Sequence, residues 1–231
     1  MQLDHDGYLP SFAVITDGKQ SDVRVARDFK FESGTVVVMD RGYNDYEWFV
    51  RLKHDGVYFV TRLKFNAVYD VLQDRPVTSE NGILKDQIIS FSNQKIPSCE
   101  HFRIVEVWDE TKQRTMIFLT DNMEFDAVTI SAIYKDRWNI ELFFKAIKQN
   151  LKIKTFLGTS ANAVKTQIWT ALIAMLVLRY LKLLSTFGWS LSNLIALLRQ
   201  QLFVHRDLMH WLNTPFEGPP LLEMTQLEFS F

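Results

Sequence analysis

Cysteine is nearly absent: Cys99 stands alone in 231 residues. That excludes an intramolecular disulfide framework and a cysteine-based zinc site, and a reducing cytoplasm is the expected location. A surplus of charge is missing too, with 26 Lys and Arg against 27 Asp and Glu and a net charge of −1. A protein built on an acidic or basic tail is thereby excluded. The first six residues, Met1 to Asp6, hold neither a basic stretch nor an apolar one, so no targeting segment is expected. The most apolar run, Ile168 to Leu178, meets Arg179 and Lys182 before about 18 apolar residues accumulate. A buried helix is expected there, and no membrane association. Internal repeats and low-complexity runs are also missing. What the chain does have is apolar mass: 47% hydrophobic residues, 18 Phe and 6 Trp, enough for a sizeable core in one or two domains.

Patterning along the chain changes twice. The first 56 residues read as α/β. A short apolar run covers Phe12 to Thr16, a short helix fits Ser21 to Lys30, and Thr35 to Met39 is a continuous β-branched run, the mark of a strand buried on both faces. Asn44-Asp45-Tyr46-Glu47 has the form of a capping box opening a helix that runs to about His54, where Asp55-Gly56 stops it. Residues 57–125 turn β-rich. Strands are expected at Val57 to Leu63, Ile83 to Phe91, Phe102 to Trp108 and Arg114 to Thr120, the last two joined by a hairpin-length loop. Residues 126–204 turn helical, with one long helix over 126–150 and others near 161–185 and 190–202, and 205–231 is an irregular tail. The expected architecture is an α/β core interrupted by a β-rich insertion.

Asp40 ends the β-branched strand, the position at which open α/β sheets place their ligands. Gly42 permits a tight turn there, and a simple turn-capping role is the alternative. Residues 134–148 are more specific. At about 100° per residue, Tyr134, Arg137, Glu141, Lys145 and Lys148 share an arc of about 80° on one helix. A solvated face with i,i+4 ion pairs is the plain reading, but bases outnumber the acid. Residues 130–182 carry nine bases and only two acids, a distribution suited to a phosphate-bearing partner despite the neutral total. Lysine and arginine stems packed on buried helices are the alternative. Other motifs fall away. His205-Arg-Asp207-Leu208 has the look of a kinase loop, but Leu212 stands where its Asn belongs. His205 and His210 are five apart, not the four of a helical zinc pair. The dinucleotide fingerprint, the P-loop and the GxSxG elbow do not occur.

The spacing Tyr134-(2)-Arg137-(3)-Glu141-(6)-Lys148 matches the YREK signature of bacterial insertion-sequence DDE transposases of the IS-four group. Asp40-Arg41-Gly42-Tyr43 resembles the segment bearing their second acid, and His205-Arg-Asp-Leu208 with Trp211 and Pro215 resembles their C-terminus. The resemblance implies an RNase H-like core with a β-strand insertion and cut-and-paste DNA transposition. It implies Asp40 and Glu141 as two of three carboxylates holding two Mg²⁺ ions, which would promote hydrolysis and strand transfer. Tyr134, Arg137 and Lys148 are implied as contacts to transposon-end DNA, with Lys145 added from its place on the helix arc. Trp108 reads as packing, with stacking on a flipped base as the alternative.

The family's first Asp lies on a strand with no counterpart here. Asp4, Asp6, Asp17 and Asp22 read as non-catalytic, so the chain resembles an N-terminally truncated transposase. One Mg²⁺ or none is expected, along with an exposed sheet edge where a central strand would lie. Two readings follow. One is a catalytic core inactive by itself. The other is a non-catalytic fragment that binds DNA or interferes with dimers, pairing with itself or with a full-length transposase.

Overall fold

The structure is a computed structural model, and it describes residues 1–4, 10–16, 21–77, 80–91, 100–151, 158 and 160–217. Asp6, Asp17, Cys99, Lys152 and Lys154 lie outside the described residues. The chain forms two compact units, one of Met1 with Phe12–Leu142 and one of Gln2–Ser11 with Phe143–Phe231.

The elements run in the order β1 (Gln2–Leu3), β2 (Pro10–Phe12), α1 (Asp22–Ala26), β3 (Val36–Met39), a 3-10 turn (Arg41–Tyr43), α2 (Tyr46–His54), β4 (Tyr58–Arg62), β5 (Asp70–Asp74), a 3-10 turn (Glu80–Gly82), β6 (Ile83–Ser90), β7 (Phe102–Asp109), β8 (Arg114–Thr120), α3 (Ala127–Asp136), α4 (Trp138–Asn150), α5 (Ala161–Leu184), α6 (Leu191–Gln201) and α7 (Leu208–Asn213). Strands β1 and β2 pair with each other, and the other six form one sheet in the order β3-β4-β8-β7-β6-β5. Only β3 and β4 run parallel; every other neighbouring pair in this sheet is antiparallel. The strand opening the β-rich segment, β4, therefore shares a sheet with the strand that carries Asp40.

Alternation along these strands divides two cores. Phe59, Phe102, Ile104 and Leu119 pack on one face with Trp48, Phe49 and Leu52 of α2. Val60, Val105, Val107, Met116 and Phe118 pack on the other with Ile130 and Tyr134 of α3. The period-two side-chain direction of a strand requires this separation. Phe49 stacks on Phe59 with ring centroids 4.2 Å apart, and each fully buried ring contributes about 1.5–3 kcal/mol. Strand β3 explains its own continuous apolar run: Val37 and Met39 meet the first core, Val36 and Val38 the second. It is an edge strand, however, so only Met39 is fully buried.

Local signals act mostly as expected, with four differences. Helix α2 is capped by Asp45, not Asn44, its carboxylate accepting the Trp48 N–H at 3.1 Å. Gly56 ends it at φ 72°, where a Cβ would lie 2.5 Å from the Ser33 hydroxyl. The helix expected over 126–150 is two helices. Asp126 caps α3, and at Arg137 the N–H bonds skip only three residues, Arg137 to Tyr134 and Ile140 to Arg137, so the chain tightens and turns. Strand β5 was not legible because every residue in it is exposed. Nor was α7, which Asp207 caps by accepting the His210 N–H at 2.5 Å.

The second unit is mostly helical, with strand β1 and part of β2 besides. Trp189, Leu194, Trp211 and Leu212 form a core cluster, with the Trp189 indole donating to the Leu212 carbonyl at 2.8 Å. Helix α5 is long and apolar enough to cross a bilayer by length and composition. One face buries Ala171, Leu172, Met175 and Leu178, while Trp169, Ile173, Val177 and Tyr180 are exposed on the opposite side. The expectation of a buried helix is thus met on one face.

Candidate nucleic-acid interface

The parallel register pairs Met39 with Thr61, so Asp40, the next residue, emerges beside Arg62 at the ends of two neighbouring strands. Asn44 fastens this junction. Its amide donates to the Arg62 carbonyl at 3.0 Å and its carbonyl accepts from the Thr61 hydroxyl at 3.0 Å. Asp40 accepts the Arg41 N–H at 2.7 Å and so caps the 3-10 turn, as its plainer reading requires. The carboxylate is nevertheless exposed and faces a cleft.

That cleft has a volume of about 420 Å³ and is lined by Asp40, Arg41, Gly42, Arg62, Lys64, Lys112, Arg114, Met116, Tyr134 and Arg137. Gly42 has an ordinary φ and open space where a Cβ would stand, so the turn itself does not demand glycine. Tyr134 is buried with its ring 4.7 Å from that of Phe118. Burial, with Asp40 adding to it, holds its phenol above the ordinary pKa against the opposing pull of Arg137 and Arg62. The Arg137 guanidinium lies 5.6 Å over the Tyr134 ring and donates to the Glu141 carboxylate at 2.9 Å. Burial pulls its pKa down, but the Glu141 hydrogen bond, Tyr134 and the nearby Asp40 outweigh that and hold it above the usual value. Both carboxylates thus act on one guanidinium. Its Nε is buried without a hydrogen-bond partner among the described residues.

Of the residues singled out by sequence, Asp40, Tyr134 and Arg137 share this cleft, and Glu141 is tied to it through Arg137. Lys145 and Lys148 are exposed on the part of α4 that belongs to the second unit and are not among the lining residues. In the basic block, the guanidinium of Arg179 lies 4.9 Å over the Phe143 ring, and burial lowers its pKa, so this base is packed as the alternative reading proposed. Trp108 is 37% exposed on β7 and does not line the cleft. Arg41, Arg62, Lys64, Lys112 and Arg114 were missed. Arg41 and Arg62 had detectable signals, the residue after Asp40 and the end of a neighbouring strand; Lys64, Lys112 and Arg114 join Asp40 only through the pairing of distant strands.

Six cations and one carboxylate around an open cleft suit a ligand with several negative charges, and the guanidinium fork suits phosphate in particular. Among the described residues no group of three or more His, Cys, Asp or Glu side chains is placed to hold a metal ion.

The family model described as "Transposase DDE domain" matches residues 1–177. A protein of Sinorhizobium fredii named as transposase y4zB is 33% identical over 224 residues, covering 94% of this chain and 61% of that protein. One from Geobacillus stearothermophilus, named as a transposase for insertion sequence element IS5377, is 29% identical over 175 residues, covering 75% and 46%. One from a Synechocystis species, named as a transposase for insertion sequence element IS4SA, is 28% identical over 223 residues, covering 88% and 59%. The chain therefore spans about half to three-fifths of the length of these relatives.

Proposed function

The chain belongs to the DDE transposases of bacterial insertion sequences, and from that premise we propose that it is a catalytic-core segment carrying two of the three acids, Asp40 and Glu141. Its proposed substrate is transposon-end DNA, and the reaction class is phosphodiester hydrolysis and strand transfer. The observation that carries this reading is the cleft itself, where Asp40 meets Tyr134 and Arg137 from the far side of the β-rich segment. The mixed six-stranded sheet with helices on both faces supports an RNase H-like core, with the β-rich segment 57–125 as its insertion. The edge position of β3 supports the reading that a further core strand pairs there.

The family uses divalent metal, and the carboxylates here are hard oxygen donors of the kind Mg²⁺ takes with one or two carboxylates and several waters. Asp40 and Glu141 would hold one such ion, and two carboxylates do not suffice for the pair. When bound, the ion would supply Lewis-acid stabilisation of charge on phosphate oxygens. The chain's own residues do the rest. Arg137 holds Glu141 by one terminal nitrogen and offers its other terminal N–H groups to a phosphate in the cleft. Arg62, kept beside Asp40 by Asn44, offsets the repulsion between that carboxylate and the phosphodiester. Tyr134 is held protonated and forms a flat support beneath the Arg137 guanidinium.

The purified chain is expected to bind a duplex oligonucleotide of arbitrary sequence with an affinity that falls as salt rises, read by fluorescence anisotropy. Absence of binding at low salt would refute the reading. Strand transfer is not expected from the chain alone, and its appearance would refute inactivity. The second reading, a non-catalytic fragment that binds DNA or interferes with dimers, is favoured by the two-carboxylate count. It predicts that adding the chain slows strand transfer by a full-length relative.

A further inference from the structure

The β7–β8 hairpin brings Lys112 and Arg114 into the cleft beside the strand-end pair Arg62 and Lys64. None of these four side chains forms an ion pair among the described residues, although other charged side chains of the same unit do: Arg103 with Asp86, Lys85 with Glu106, Lys53 with Glu100. Lys64, Lys112 and Arg114 are exposed. The hairpin is braced from within. Asp109 accepts the N–H groups of Thr111 and Lys112 at 3.1 and 3.2 Å, and the Gln113 amide donates to the Glu110 carbonyl at 2.8 Å. Gln113 sits at φ 48°, a left-handed turn position that those bonds support. Asp109 is thus engaged by the turn. The loop holds its cations on a defined backbone, and Lys112 also lies 5.8 Å over the Trp138 ring. Arg114 follows as the first residue of β8, paired in register opposite Asp109.

Resting on the DNA reading above, we infer that Lys112 and Arg114, acting with Arg62 and Lys64, form a phosphate grip for the DNA strand that enters the Asp40 cleft. This grip is separate from the signature residues on α3 and α4. It reads charge and backbone. The strand lies in the cleft that Arg137, the strand-end cations and the hairpin cations line together with Asp40. Anchoring the backbone on rigid β structure fixes the register of one phosphodiester against the carboxylate, which a single arginine contact would not do.

The test is the salt dependence of duplex binding by the full chain. Removing one phosphate-binding cation lowers the slope of log affinity against log salt by about 0.9. Lys112→Ala with Arg114→Ala is expected to reduce that slope by about 2 and affinity at low salt by about tenfold or more. Lys112→Arg with Arg114→Lys keeps both charges and is expected to keep the slope. Lys85→Ala, on the same sheet but outside the cleft, is expected to leave it unchanged. An unchanged slope in the double-alanine variant, with wild type binding normally, overturns the grip and leaves the DNA reading intact. An equal loss in Lys85→Ala overturns it as general surface charge. Wild type that fails to bind duplex overturns the DNA reading and the grip together.

Discussion

Two arginines, each beside a carboxylate, occupy very different regions of the sheet unit. Arg103 lies inside it at 1% exposure. It donates to both oxygens of Asp86 at 2.8 and 2.7 Å and to the carbonyls of Asn122 and Phe125 at 3.2 and 2.6 Å. Arg137 lines the cleft with one bond to Glu141 and a buried Nε that has no partner among the described residues. The first guanidinium is saturated and joins β6 and β7 to the loop that opens α3. The second keeps donors in reserve. A saturated buried charge serves the fold, because desolvation is offset only when nearly every donor is used. One that lines a cleft can meet a ligand through its terminal N–H groups, though not through its buried Nε.

Breaking the saturated pair should have the largest effect. Asp86→Ala leaves Arg103 buried without its counter-charge and is expected to lower stability by about 3–5 kcal/mol in a urea titration. Arg103→Met combined with Asp86→Leu should recover only part of that loss, because the carbonyls of Asn122 and Phe125 would still lack a donor. A full loss in the double variant would mean that the loop bonds, not the ion pair, dominate.

Asp121 sharpens the same contrast, being a buried carboxylate without a guanidinium. It accepts the Phe59 N–H at 2.9 Å, yet burial pushes its pKa up to about 6 from 3.8. The folded state thus binds this proton more tightly than the unfolded state. Its stabilising contribution is complete below pH 3.8 and is lost as pH rises through about 6. Asp121→Asn should therefore gain about 1–3 kcal/mol over wild type at about pH 7–8, with the difference vanishing near about pH 4. Thermal unfolding across that range reads it directly.

Asp45 is a smaller case of a carboxylate used twice, by the Trp48 N–H and by Arg27. Asp45→Ala should cost about 1 kcal/mol through the lost helix cap. Smallest in stability should be Arg137→Gln, a few tenths of a kcal/mol for a partly exposed i,i+4 pair. Its DNA affinity should nonetheless drop about tenfold. A stability loss as large as that of Asp86→Ala would erase the distinction between the two arginines.

Much of this was legible in the chain. Helix α2 stops at Gly56 because Asp55-Gly56 is a strong terminator, and the β7–β8 hairpin follows from two alternating runs and a short polar loop. Asp40 at a strand end and the spacing of Tyr134 and Arg137 located part of the cleft lining. The break at Arg137 was not legible, since an unbroken 3.6-residue periodicity does not report a single tightened turn. The edge strand β5 was hidden by having no buried face, and the neighbouring cations Lys64, Lys112 and Arg114 by lying far from Asp40 in sequence.

Residue order by itself determined most of the helices and strands, where Asp40 falls on its strand, and which family the chain belongs to. Those properties depend on neighbours a few positions apart, through periodicity, capping and motif spacing. Only the tertiary structure decided that β4 lies parallel to β3, that Arg103 is consumed by the fold while Arg137 is not, and that a hairpin from the β-rich segment faces Asp40. These depend on hydrogen-bond register between distant strands and on which charges the folded chain leaves in contact with water.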